Sequence, residues 1–183
     1  VQVSVGGINI APTLTSIQTL SGVAQGGTLN ISFDRLRAAA NEFDANGDFV
    51  TFRIQEVNVG SLTISKGGAA GVAVNAGSTI LESGDSVLWS PPANVNGTQP
   101  AFKVVAFDGS LISASAVQVN VTVTPVNRVP TLTRVDTIFN PNFPGPVSIS
   151  HAALLARSDA FDGDGTPLNF RVEAITSGTL ILG

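Results

Sequence analysis

Apolar and polar residues alternate along much of this chain with a period of two, the spacing that puts every second side chain of an extended strand on one face. Val50, Phe52 and Ile54 alternate with Thr51, Arg53 and Gln55, and Leu168, Phe170 and Val172 with Asn169, Arg171 and Glu173. Val117, Val119, Val121 and Val123 alternate with Gln118, Asn120, Thr122 and Thr124. The same reading predicts strands at 28–32, 60–65, 78–81, 86–89 and 102–107, and a leading one carrying Val1, Val3 and Val5, separated by turns bearing Gly, Pro and Asn. Helical spacing is confined to 33–40 and 151–157, where Ser32 and Ser150 stand as N-caps and Leu36 and Leu154 are expected to turn inward. Many short strands without strand–helix alternation predict an all-β fold, an antiparallel β-sandwich, and argue against a parallel α/β sheet.

The chain also repeats itself. Shifted by 118 residues, Pro12-Thr13-Leu14-Thr15 falls on Pro130-Thr131-Leu132-Thr133, and 21 of 65 overlapping positions are identical without a gap. Phe43/Phe161, Asp44/Asp162, Gly47/Gly165, Phe52/Phe170, Arg53/Arg171, Gly60/Gly178 and Leu62/Leu180 are among them. A fixed period of this length suits independently folding modules in tandem. The expected organisation is the last strand of one repeat at 1–10, a complete repeat at 11–128, and the first half of another at 129–183. Starting at Val1 rather than Met, the sequence reads as processed or as an excerpt.

Composition narrows the function classes. Net charge is −4, from 9 basic against 13 acidic residues, so no basic field is present to attract nucleic acid. Cysteine is absent, which removes disulfides, thiolate nucleophiles and Cys-ligated metals. Although 43% of residues are apolar, no run approaches the roughly 18 residues of a membrane-spanning helix.

Asn96-Gly97-Thr98, then Ala106-Phe107-Asp108-Gly109, then Val121-Thr122-Val123-Thr124-Pro125-Val126-Asn127-Arg128-Val129-Pro130 resemble the bacterial cadherin-like tandem repeat. The segment Ile31-Ser32, Leu36, Phe43-Asp44-Ala45-Asn46-Gly47, Phe52-Arg53-Ile54 and Gly60-Ser61-Leu62 is similar to the chondroitin-sulfate-proteoglycan type of that repeat. The resemblance implies a cadherin-like, Ig-like β-sandwich of long extracellular or cell-surface proteins, acting as a spacer or adhesion repeat. Its expected partners are neighbouring repeats or copies of itself, and calcium often stiffens such junctions.

Two loops crowd oxygen ligands of the kind calcium takes: Asn41, Asp44, Asn46 and Asp48, and in the second copy Asp159, Asp162 and Asp164. The resemblance adds Asp108 and the linker residue Asn127 or Asn9, making Asp44, Asn46, Asp108, Asn127, Asp162 and Asp164 the candidate Ca2+ ligands. The linker position after Asn, usually Asp in the family, is Ile10 at one junction and Arg128 at the other. Arg128 is placed to pair with Asp162 or Asp164 in place of a metal. Asp-x-Asn-Gly and Asp-x-Asp-Gly also read as plain turns in which Asp and Asn satisfy local backbone donors.

No catalytic constellation is expected, and the chain is read as a non-enzyme. The one histidine, His151, corresponds to Phe33 in the complete repeat. An alternative function is a ligand-binding module for glycan, using Trp89 as a stacking platform or an exposed loop; a lone Trp89 beside Pro91-Pro92 at a strand end reads more readily as a packed residue.

Overall fold

The computed structural model describes residues 7–139 and 144–181 of the 183-residue chain. It separates into two compact units, Val1–Pro125 and Val126–Gly183. The strand expected at 1–5 lies outside the described residues, and residues 7–10 join no strand.

Unit 1 comprises β1 (Leu20–Ala24), β2 (Leu29–Ser32), α1 (Phe33–Ala39), β3 (Thr51–Val57), β4 (Ser61–Ser65), β5 (Val72–Ala73), β6 (Ile80–Leu81), β7 (Ser86–Ser90), β8 (Gly97–Phe107) and β9 (Val117–Thr124). These form two sheets, β1-β9-β8-β3-β6 and β2-β7-β4-β5, giving the expected all-β sandwich. One pair departs from the antiparallel expectation: β1 runs parallel to β9, with Leu20 opposite Val121 and a register slip before Val23. Gly22, at φ +97°, breaks the alternation of β1, which is why period two does not announce that strand.

The alternating residues of the sequence supply the core. Val119, Val121 and Val123 on β9, Phe102, Val104 and Ala106 on β8, and Phe52 and Ile54 on β3 are fully buried from one sheet; Ile31, Val87 and Trp89 meet them from the other. β8 starts earlier than expected, at Gly97, although Pro100 has no N–H to give a ladder. A register shift between Pro100 and Phe102 absorbs it, and the buried Ala101 carbonyl accepts the N–H groups of Asn58 and Val59 beside it. The helix α1 is held by its predicted cap: Ser32 Oγ accepts the Arg35 N–H at 3.2 Å, and Phe33 and Leu36, three positions apart, both point into the core.

Unit 2 reproduces the opening of unit 1. Helix α2 (His151–Ala156) is capped by Ser150 Oγ on Ala153 N–H, and the bridges Thr13–Phe43 and Ile17–Ala40 reappear as Thr131–Phe161 and Val135–Ser158. Two expectations fail here. Leu154 is only half buried, and 168–172 forms no strand. In unit 1 the corresponding strand, β3, is paired on its two sides by β8 and β6. Among the described residues no strand pairs with 168–175 in that way. None of the described residues of unit 2 is buried.

Candidate functional site

The oxygen-rich loops form hydrogen-bonded clamps on the chain that leads into each unit. In unit 1, Asp44 is 7% exposed, and its Oδ1 accepts the N–H groups of Asn46 at 2.8 Å and Asp48 at 3.1 Å, tightening the turn that Gly47 closes at φ +80°. That turn points Asn46 at the leading segment. Its Oδ1 accepts the Ile10 N–H at 2.8 Å and its Nδ2 donates to the Ile8 carbonyl at 3.0 Å, a two-point grip on backbone. Asn9 Nδ2 donates to Asp108 Oδ2 at 3.0 Å, while Asp108 Oδ1 accepts the N–H groups of Ser110 and Leu111, each at 2.7 Å. The Leu111 and Ser110 N–H groups and the Asn9 amide hold the Asp108 carboxyl below its ordinary range. Three residues before Asp44, Asn41 Oδ1 accepts both the Thr15 and Ser16 N–H groups.

Unit 2 repeats four of these bonds at the same spacing. Asp162 Oδ1 accepts the Asp164 N–H at 2.7 Å, Asp164 Oδ2 accepts the Arg128 backbone N–H, and Asp159 Oδ1 accepts the N–H groups of Thr133 at 2.9 Å and Arg134 at 2.8 Å. This link from Arg128 to Asp164 runs through the Arg128 main-chain N–H, and the Arg128 side chain lies along Gly163, its Nη1 3.4 Å from where a Cβ would stand. Ile10 and Arg128 stand at the same position of the two junctions because what the loop grips there is the N–H that both possess.

Of the six candidate calcium ligands, the structure brings Asn46 and Asp108 to one open polar cleft of about 440 Å³, shared with Gly7, Asn9, Asp48 and Ser110. Asp44 lies behind it, buried. Asp162 and Asp164 share the equivalent loop of unit 2, where Asn127 is exposed with no side-chain bond seen among the described residues. Calcium takes six to eight oxygens. Here Asp44 Oδ1, Asn46 Oδ1, Asn41 Oδ1 and both Asp108 oxygens already accept N–H groups, the buried Asp44 Oδ2 has no hydrogen-bond partner, and no group of three acidic or histidine side chains among the described residues is placed to hold a metal. The gathered donor set falls short of the ion: the cleft brings together two carboxylates, Asp48 and Asp108, beside the Asn46 amide, whose oxygen is engaged by the Ile10 N–H group. A thermal melt in calcium and in chelator is expected to give the same Tm, whereas native-state binding at a hundred times Kd would add about 2.7 kcal/mol, a shift of several degrees.

The two clamps differ in chemistry. Asn41 becomes Asp159, whose carboxyl the Thr133 hydroxyl and the N–H groups of Arg134 and Thr133 hold down at about 2. A folded-state pKa below the unfolded value near 3.9 means the clamp contributes fully above pH 4 and is lost as pH falls through 2. NMR titration is expected to move the amide resonances of Thr133 and Arg134 between pH 4 and pH 2, with those of Thr15 and Ser16 unmoved by their amide partner. Equal movement at both sites would refute the assignment.

Other candidate chemistry resolves into structure. Trp89 is fully buried, and its Nε1 donates to the Val59 carbonyl at 2.7 Å, so no ring face is presented to a sugar. His151 Nε2 lies 2.8 Å from the Leu168 carbonyl with its ring 5.6 Å from that of Phe170. Asp85 is 7% exposed and 2.7 Å from Lys66 Nζ, a pairing across 19 residues that no pattern in the sequence marks. Burial raises its pKa, but the Lys66 hydrogen bond and the Glu82 and Gly67 N–H groups outweigh that and hold it low. Its own carbonyl accepts the Phe33 N–H, which ties the β6–β7 turn to the start of α1. The pairing of Asn41 with residues 15 and 16 was also missed; an Asn/Asp recurring 26 positions after a repeated threonine, as Thr15/Asn41 and Thr133/Asp159, was its only trace.

Compared with protein-family models, with curated proteins and with solved structures, this chain finds no match in any of the three.

Proposed function

We propose that this chain is a run of tandem cadherin-like β-sandwich repeats serving as a spacer or adhesion segment of a long extracellular or surface polypeptide. One observation carries the reading: the grips on the leading segment at the Ile10 N–H and at the Thr15 and Ser16 N–H groups recur 118 residues on at Arg128 and at Thr133 and Arg134. A module whose most elaborate polar geometry is spent on fixing its own linker is suited to transmitting orientation. Pro12 and Pro130 act in the same direction, since each fixes its own φ and biases the residue before it to extended backbone. The burial of Trp89 removes the aromatic platform of the glycan-binding alternative, leaving that reading an exposed loop alone. Under this reading the partners are adjoining repeats or copies of itself, and function is reach and stiffness.

The absence of cysteine makes the test clean. Dyes on Ala76→Cys and Thr179→Cys, both exposed positions, report inter-unit distance in single molecules. The parent is expected to give a narrow transfer-efficiency distribution, and Asp164→Ala a broad one. A parent distribution as broad as that of a flexible linker would overturn the spacer reading.

A further inference from the structure

We propose that residues 168–180 of unit 2 are a strand-accepting face for the β6–β9 half of a repeat, a segment of the sequence type this chain carries at 66–125, with its β8-type strand antiparallel to 169–175. The inference rests on the tandem-repeat reading above.

Unit 2 leaves uncovered what unit 1 covers. Val172 is 58% exposed where Ile54 is 0%, Leu180 46% where Leu62 is 7%, and Leu132 50% where Leu14 is 3%. Phe170 is half buried where Phe52 is sealed. Residues 169–175 keep the period-two pattern of a strand yet pair with nothing among the described residues, so an apolar face and an unused ladder edge coincide. A helix would cover the face but leave the ladder unmet; an extended strand meets both.

Unit 1 specifies the strand. β3 pairs with β8 in the register Thr51–Phe107, Phe52–Ala106, Arg53–Val105 and Ile54–Val104, which places a β8-type residue opposite each of Asn169, Phe170, Arg171 and Val172. Arg53 illustrates what changes on pairing. Its guanidinium lies 5.6 Å from the Phe107 ring, whereas the identical Arg171, 85% exposed at its side chain, turns to Glu173. A second copy of this chain is a poor donor, because its own β8 is already held between β3 and β9 and releasing it would dismantle unit 1.

The test extends the full chain at Gly183, the counterpart of Ser65, with a copy of its own residues 66–125. Amide exchange across 169–175 is expected to slow about 100-fold or more, and a graft carrying Phe102→Asp and Val104→Asp is expected to leave it fast. Register is read separately in the cysteine-free background: Arg171→Cys should form a disulfide with Val105→Cys in the graft and not with Val104→Cys, whose side chain leaves the opposite face. Unchanged exchange together with no crosslink, or equal crosslinking of both pairs, would overturn the proposal. So would slow exchange at 169–175 in the unextended chain accompanied by a dimer in light scattering, since a second copy would then be the cover. None of these readouts depends on the inter-unit distance, so this proposal and the spacer reading fail independently.

Discussion

Replacing Gly60 with alanine is expected to destabilise unit 1 by about 3 kcal/mol or more, the sum of left-handed backbone strain and overpacking. Gly60 sits at φ +82° in the turn between β3 and β4, where a Cβ would stand 2.2 Å from the Ser90 carbonyl oxygen and 3.0 Å from Trp89 Nε1. The first of these is a backbone atom inside the β4–β7 ladder, where Ser61 faces Ser90, so it cannot rotate away as a side chain would. Relief requires moving β7, and with it the Trp89 bond to Val59. Urea unfolding followed by the fluorescence of the single Trp reads the effect directly. Gly178→Ala is the internal control: φ is +76° but nothing lies within 4 Å, so about 1 kcal/mol of local strain is expected and no change in the Trp89 transition. A Gly60→Ala midpoint equal to the parent's would show that the turn relaxes at no cost.

Phe52→Ala is expected to cost about 3–5 kcal/mol, the range for removing a sealed aromatic side chain and leaving a cavity. Its ring is 0% exposed, packs 5.9 Å from that of Phe33, and belongs to a strand paired by β6 on one side and β8 on the other, so its surroundings have little freedom to collapse. The identical residue one repeat later, Phe170, stands in an unpaired segment, and Phe170→Ala is expected to leave the Trp89-reported midpoint within 0.5 kcal/mol of the parent, roughly the range of a surface change. Similar losses for both substitutions would mean that the two units share one cooperative transition.

The contrast between these two phenylalanines shows what was legible in the sequence. Alternation located β2, β3, β4, β7 and β9 closely because each packs one face on a core and the other toward water. It missed β1, whose glycine interrupts the pattern, and β5, two exposed residues with no core face at all. At 168–172 the pattern was present and the strand was not, because alternation reports which face a strand would bury while pairing depends on residues far along the chain. The candidate ligands were found by type and spacing, and the loops do gather them. What spacing could not show is that Asn46 and Asp164 reach for main-chain N–H groups, since backbone donors leave no mark in a sequence.

The grip on the Ile10 and Arg128 N–H groups has an evolutionary consequence. A segment held through atoms common to every residue but proline is blind to the side chain displayed there, so under the proposed tandem-repeat reading whole repeats would be free to be duplicated, lost or exchanged without a compensating substitution at that position. The side chain thereby released, isoleucine in one copy and arginine in the other, is the place where each copy is free to acquire a surface of its own.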